Sequence, residues 1–466
     1  MAITIDQKPI SKMMGAGQEL VFTVSDAATI ASHFNHRYYC DVYVAKGLIA
    51  DAVKVSTLKT TPNSSGVGIF DVRRAVETEL SSDYFIDNAS GFSEFQGSSG
   101  LYDVPLHYVS ECSMAGNSSA TFYFKFYIKA STTLRGSIST VSTVQSLNNF
   151  YYHSAFSNDE VRSYGGVSGN GFGVPSSLYF MNSNSDNFLT KMPYNIKARA
   201  NDVGVVGFLT GISHFVSSYT SPHYIGIEFY NSAGASVGSK TLSVTLGTGG
   251  QAYDTNTGAG NTIRCYAGVY PANLKQTGDL PSGTSYYTFR AYRIDNSIVS
   301  AEYTISIQDE CEYETNRLCW LNELGAWDYF NFNVKSVRTT NVSRNSFNSS
   351  GADWSGEYYS RPYNRGGKKV YSVSSKDSIL LNTEYLTEEE GIWLESLMSS
   401  SEVFLIKKGS TWAVGDTAAS QGDYSQFVEP VVITNSAMTR KTLLNDKLIS
   451  HQFTIERSQQ NNTYRI

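Results

Sequence analysis

A chain of 466 residues exceeds the roughly 250–300 at which a single core stops growing, so two to four domains are expected. Charged residues are only 17 %, with 32 Tyr, 24 Phe and much Ser, Gly and Asn in their place, which speaks for a chain that assembles or binds and against a metabolic enzyme. The net charge of −6 argues against a whole-surface grip on nucleic acid.

The N-terminal segment, through Pro9, has no apolar h-region of a secretion signal, and no apolar run approaches the ~20 residues of a membrane span. Residues 1–130 then read as a β-sandwich. Runs such as Leu20–Val24, Tyr38–Val44 and Thr121–Ile128 are rich in β-branched and aromatic residues, as strands are. One helix is expected among them, with Asp71 as N-cap and Val72, Ala75, Val76 and Leu80 on one face. Residues 131–195 turn Ser-, Asn- and Gly-rich and predict an irregular connector or extended arm. Its run from Ser163 to Gly173 resembles a phosphate loop only in its glycines, because no Gly-Lys-Ser/Thr follows.

Residues 196–310 predict a second β-sandwich, with clean alternation in Tyr224–Tyr230, Lys240–Leu246, Thr262–Tyr270 and Tyr287–Ile294. Residues 311–466 differ in kind, since they hold all five Trp. Here Thr387 and Glu390 have the spacing of a capping box, followed by a helix with Trp393, Leu394, Leu397 and Met398 on one face. Strands at 402–406, 430–434 and 451–456 close this domain. The expected fold is therefore mainly β: two immunoglobulin-like β-sandwich domains, then a third domain of strands and one amphipathic helix.

Chemistry is sparse along the chain. The seven His are dispersed; His33 and His36 are three apart on an expected helix, but no third ligand is near and no HExxH occurs. The five Cys (Cys40, Cys112, Cys265, Cys311 and Cys319) show no zinc spacing and read as buried thiols, with a Cys311–Cys319 bridge as the alternative. No Gly-x-Ser-x-Gly elbow is present, and the acidic runs at 309–314 and 388–390 suit a solvated junction and a helix N-terminus better than a glycosidase cleft. The oxygen-rich stretch from Asp254 to Asn261 lacks the Glu that closes a calcium loop. No catalytic residue, metal or cofactor is expected. One basic run stands out: Arg361, Arg365, Lys368 and Lys369, with Tyr363 among them, on a Gly-bearing loop. It could be a solvated hairpin tip, an interface to a neighbouring copy, or the lining of a channel for DNA.

The densest signal is Trp320-Leu321-Asn322-Glu323-Leu324-Gly325-Ala326-Trp327-Asp328-Tyr329-Phe330. It predicts a buried strand ending at Leu321, a tight turn over Asn322 to Gly325, and a half-buried returning strand from Trp327 to Phe332. It resembles a signature of virion structural proteins from tailed phages that infect Bacteroidetes, crAss-like phages among them, although Ala326 stands where those proteins usually carry a second Gly. Phe188-Leu189-Thr190 with Pro193, and Gly68 to Val72 after Pro62, are similar to two further segments of that family.

The resemblance implies a structural subunit of the tail apparatus, a ring, collar or baseplate component without enzymatic activity. It would form a cyclic homo-oligomer and dock other tail or portal-proximal proteins, in the virion after synthesis in the host cytoplasm. The order of elements in 311–466 resembles the tail-tube-like small β-barrel with a flanking helix, its core expected around Trp320, Trp327 and Trp393. Contact with packaged DNA is a further possibility. The alternative is a tail adhesin that binds a host receptor or surface glycan through Tyr- and Asn-rich loops; a hydrolase digesting host surface polymer is the third reading.

Overall fold

The computed structural model describes residues 2–45, 52–82, 106–108, 112–114, 119–156, 171–174, 176–181, 183–209, 222–244, 264–276, 278–308, 313–406, 428–435, 437–438 and 449–458. The chain is mainly β, in several sheets. It divides into two units: one of Met1–Asp309, Leu321–Asp328 and Lys408–Ser425, the other of Glu310–Trp320, Tyr329–Lys407 and Gln426–Ile466. Among the described residues no helix is long and apolar enough to cross a membrane.

The first unit begins with a four-stranded sheet in the order Gly171–Phe172, Thr4–Pro9, Val21–Ser25, Val67–Asp71. A five-stranded sheet follows, in the order Met13–Gly15, Ser139–Tyr152, Ser119–Ser131, Phe34–Ala45, Val53–Thr60. Alternation fixes their inner faces: Phe22, Val24, Tyr38, Cys40, Val42, Phe122, Phe124 and Phe126 form one buried cluster. Phe22 meets Phe124 and Phe126 at 4.9 and 5.2 Å between ring centres, within the range favoured by tilted aromatic pairs.

Three local expectations change here. The helix is only Arg73–Glu77, and its N-cap is Val72, without a side-chain bond. Asp71 instead ends the preceding strand, where Oδ1 accepts from the backbone N–H of Arg73 and of Leu20. His33 and His36 do not share a helix: Ala27–Ser32 ends at His33, and His36 lies in the next strand. The region read as an irregular connector opens with the 14-residue strand Ser139–Tyr152. Its first ten residues are exposed or half-buried, so their low apolarity reflects an open face.

Two more sheets complete this unit. One runs Asn195–Arg199, Tyr303–Gln308, Tyr286–Tyr292, Tyr224–Tyr230, Ser236–Ser243. The other runs Val206–Leu209, Arg264–Ala267, Cys112–Met114, so a strand from the first quarter of the chain pairs with strands far downstream. Phe188 packs against Phe208, Phe289 and Tyr303 with ring centres 5.5–6.1 Å away. The oxygen-rich 254–261 stretch and nearly all of 163–173 lie outside the described residues.

The second unit holds most of a seven-stranded sheet, of which Leu321, Trp327 and Asp328 are counted to the first, in the order Trp327–Phe332, Asn316–Leu321, Val403–Ile406, Val428–Ile433, Gln452–Arg457, Gly367–Asn382, Val337–Ser349. The helix Glu388–Ser399 starts with the expected box: Glu390 N–H donates to Thr387 Oγ1 and Thr387 N–H to Glu390 Oε2. Trp393, Leu394 and Leu397 are buried; Met398 is partly so. Cys40, Cys112, Cys265 and Cys319 are free and buried, and burial pushes the Cys40 and Cys319 thiols far up, which leaves both unreactive. Cys311 lies outside the described residues.

Candidate functional site

Two places carry the residues that the sequence singles out. The first is the turn Asn322–Gly325, in the first unit. Gly325 N–H donates to the Asn322 carbonyl at 2.9 Å, and Asn322 Oδ1 accepts from Ala326 N–H at 3.0 Å. Gly325 has φ of +75°, and a Cβ there would collide with the His153 carbonyl oxygen, so only glycine fits. A side chain at Gly207 would meet the Ala326 methyl at 2.8 Å; the two small residues face each other.

Segments distant in sequence are fastened to this turn. Asn322 Nδ2 donates to the Leu189 carbonyl at 2.9 Å, and Thr190 Oγ1 donates to Asp328 Oδ1 at 2.5 Å. Ala155 N–H donates to the Glu323 carbonyl at 2.7 Å, and Lys191 pairs with Glu323. The fully buried Arg264 donates to the carbonyls of Gly325, Leu324 and His153, and its guanidinium stands 5.3 Å from the centre of the Tyr152 ring. Carbonyl dipoles and an aromatic face thus solvate a cation withdrawn from water. Beside it, burial first and the Arg264 charge second push the His153 imidazole down to about 4. These bonds hold chain to chain, which makes the cluster a structural clasp.

The structure divides the aromatic core expected around the signature. Trp327 is buried within the first unit, edge-on to His107 at 5.1 Å. Trp320 and Trp393 lie together in the second, 5.4 Å apart, with Trp320 Nε1 donating to Ser396 Oγ at 2.8 Å and Phe330 5.9 Å from Trp393. Leu321 and Leu324 are buried in the first unit. The returning strand is less alternating than expected, because Trp327, Asp328 and Tyr329 are all buried.

The second place is a long two-stranded arm in the second unit. Val337–Ser349 pairs antiparallel with Gly367–Asn382 along its whole length, about 40 Å at the usual rise per residue. Gln452–Arg457 covers the outer edge of the second strand only from Ser378 to Asn382. Beyond that, neither edge of the arm has a strand partner among the described residues. The arm has no inside. Phe347 and Lys369 face one side, Arg344 and Val373 the other, and Val342, Phe347, Val370 and Tyr371 are all exposed.

Its tip folds on itself. Asp353–Trp354 pairs with Tyr359–Ser360, Asp353 holds Arg365, and Gly366 packs its backbone so closely on Gly351 that a Cβ would lie 2.5 Å from the Gly351 Cα. Trp354, Tyr358 and Tyr359 are each more than 60 % exposed and Tyr363 is wholly so. The basic run therefore sits on this tip. Arg361, Lys368 and Lys369 are exposed and make no ion pair among the described residues; only Arg365 is engaged. Sequence reasoning found these cations and Tyr363 but missed the other aromatic residues around them, although Trp354, Tyr358 and Tyr359 in a Ser/Asn/Gly stretch were a signal. It also missed Arg264, which stood inside an alternating strand. No protein-family model matches this chain, and no curated protein is similar to it.

Proposed function

We propose that this chain is a non-enzymatic structural subunit of a phage virion tail apparatus, a ring, collar or baseplate component that forms a cyclic homo-oligomer and docks other virion proteins. The observation that carries the reading is the arm: two strands with open edges and exposed apolar side chains on both faces. A two-stranded ribbon is marginal alone in water, and a long unpaired edge invites strand addition. Such an arm gains its stability when another chain covers it. The signature resemblance adds the setting, and in this reading the sheets of the first unit are immunoglobulin-like sandwiches while the second unit is a tail-tube-like barrel element. Tip cations facing a ring's lumen would contact packaged DNA. Electron microscopy of the purified protein and of virions tests this: rings of several copies around the tail axis are expected, and a monomer absent from particles overturns it.

A second reading, glycan recognition by the first unit, is favoured by one face. On the solvent side of the Tyr224–Tyr230 and Tyr286–Tyr292 strands, Tyr224 stacks on Tyr292 and Tyr230 on Tyr286, each pair 5.0 Å apart. Arg290 on the same face pairs with Glu302 at 3.0 Å. Partly exposed aromatic rings beside charged donors and acceptors suit sugar binding. A glycan array probed with the full chain tests it; binding unaffected by Y224A/Y292A removes the face from consideration.

A further inference from the structure

Independently of assembly and of the Tyr224 face, we propose that the outward face of the five-stranded sheet in the first unit binds an acidic polysaccharide, a sugar chain bearing carboxylate or sulfate groups. The strands Met13–Gly15, Ser139–Tyr152, Ser119–Ser131, Phe34–Ala45 and Val53–Thr60 hold five basic residues and one acidic residue, Asp41. That is +4 in a chain of −6, so the rest carries −10. Lys is depleted in strands, yet four of these five cations are Lys. Arg37, Lys54, Lys59, Lys125 and Lys129 share one face, because their neighbours Tyr38, Val55, Leu58, Phe124, Phe126 and Ile128 belong to or pack on the core cluster.

Two of these cations are set against each other. Arg37 lies directly opposite Lys129 in the antiparallel pairing of Phe34–Ala45 with Ser119–Ser131. Like charges so placed destabilise a sheet. The rings of Tyr39 and Tyr127, 5.0 and 5.6 Å from the Lys129 ammonium, offset part of this. Arg37 is exposed and has no side-chain ion pair or hydrogen bond among the described residues, and Lys59 and Lys125 have none either. The one carboxylate of the sheet is engaged already: Asp41 accepts from Thr57 at 2.7 Å and pairs with Lys54 at 2.8 Å. An anionic group between Arg37 and Lys129 removes their repulsion. Lys125 lies about 14 Å along the strand from Lys129, so the face suits an extended ligand with several charges better than a single ion.

The residues between these cations decide the occupant. Thr143 stands opposite Tyr127 and Gln145 opposite Lys125; both are exposed and make no side-chain hydrogen bond among the described residues. The rows Lys59–Tyr39–Tyr127–Thr143 and Thr57–Asp41–Lys125–Gln145 contain no aliphatic side chain, so the dry centre of a protein–protein hot spot is missing. A nucleic-acid strand stacks its bases on open rings. Tyr39 and Tyr127 instead lie parallel with centres 5.1 Å apart and carry the Lys129 ammonium, so their stacking surface is engaged. Cations, a hydroxyl and an amide on a flat face match the charged groups and hydroxyls of an acidic sugar chain.

The test uses full-length protein and isothermal titration calorimetry at low salt, with circular dichroism to confirm folding. The probes are a polyuronate fragment, heparin, a neutral dextran of similar length and poly(dT). At least one acidic polymer is expected to bind, more weakly as salt is added, and dextran is not. R37Q/K129Q should weaken that binding about tenfold or more, through the loss of charged hydrogen bonds. R37Q alone should hold or raise the thermal midpoint while it weakens binding, because it ends the cross-strand repulsion. If R37Q/K129Q folds poorly, K59Q/K125Q gives the same reading without disturbing the ring pair. The proposal is overturned if neither acidic polymer binds, if dextran binds as well, or if folded variants bind like the parent. Arg37-dependent binding of poly(dT) that is tighter than that of both acidic polymers makes the occupant nucleic acid and also overturns it. A protein that binds the acidic polymer but never assembles leaves this proposal standing and removes the assembly reading.

Discussion

Thr190 and Asp328 are 138 residues apart in the chain, yet the threonine hydroxyl donates to the buried aspartate at 2.5 Å. Both residues belong to the segments singled out by resemblance, and the bond shows that two of those segments are one piece of architecture. Thr190 Oγ1 also accepts from Met192 N–H at 2.9 Å, so the hydroxyl orders its own loop while it holds the hairpin.

Thr190→Val keeps the shape and removes the hydroxyl. The buried carboxylate and the Met192 N–H then each lose a partner, a cost of about 1–3 kcal/mol. Urea denaturation followed by a probe in the first unit should show the unfolding free energy fall by that amount, whereas Thr190→Ser should lose less.

Local features were legible in the sequence, and long-range ones were not. The Thr387/Glu390 box and the Asn322–Gly325 turn depend on spacing within four residues, and both stand as read. The strand Ser139–Tyr152 was hidden because most of it is not buried; pairing with Ser119–Ser131, not apolarity, makes it a strand. The same holds for the first strand of the arm, Val337–Ser349, whose Ser, Thr and Asn residues carry no periodic apolar signal. Arg264 could not have been picked out, since its partners are backbone carbonyls of residues about 60 and 111 positions away, and a carbonyl leaves no trace in a sequence. The division of Trp327 from Trp320 and Trp393 was equally invisible, because all three look alike as buried aromatics in a list of residues.

Gly325→Ala should be far more damaging than its size suggests. The added methyl collides with the His153 carbonyl oxygen and comes within 2.9 Å of the Arg264 guanidinium, on a backbone held at positive φ. Left-handed strain alone costs about 1–3 kcal/mol, and the clash adds to it. Loss of soluble expression, or a large drop in thermal midpoint, is the expected outcome. A Gly325→Ala variant as stable as the parent would remove the clasp from the account of this fold.

The His153 imidazole gives the first unit a signed pH dependence. In the folded chain, burial and Arg264 hold it down to about 4, whereas an unfolded histidine titrates near 6.5. The unfolded state therefore binds the proton first, and stability contributed by the neutral ring falls as pH drops from about 6.5 to 4, with no further loss below. His153→Leu should flatten urea-midpoint curves across that window relative to the parent.

Thr387→Ala removes the hydroxyl that accepts from Glu390 N–H and leaves the return bond from Thr387 N–H to Glu390. A cap substitution of this kind costs about 1 kcal/mol. The helix Glu388–Ser399 carries Trp393 against Trp320, so fluorescence of the second unit reports the change directly. A shift in the fluorescence midpoint without a matching shift in a first-unit probe is expected.

Shortening the arm separates folding from assembly. Replacing residues 346–370 with a two-residue Asn-Gly turn leaves the sheet contact of Ser378–Asn382 with Gln452–Arg457 untouched. It removes most of the exposed aromatic surface and all four tip cations named in the basic run. Because these side chains lie outside any core, the thermal midpoint should change little, while mass photometry should show the assembled species disappear. A shortened protein that still forms the parent's oligomer would mean that assembly uses another surface, and the arm would then need a different occupant.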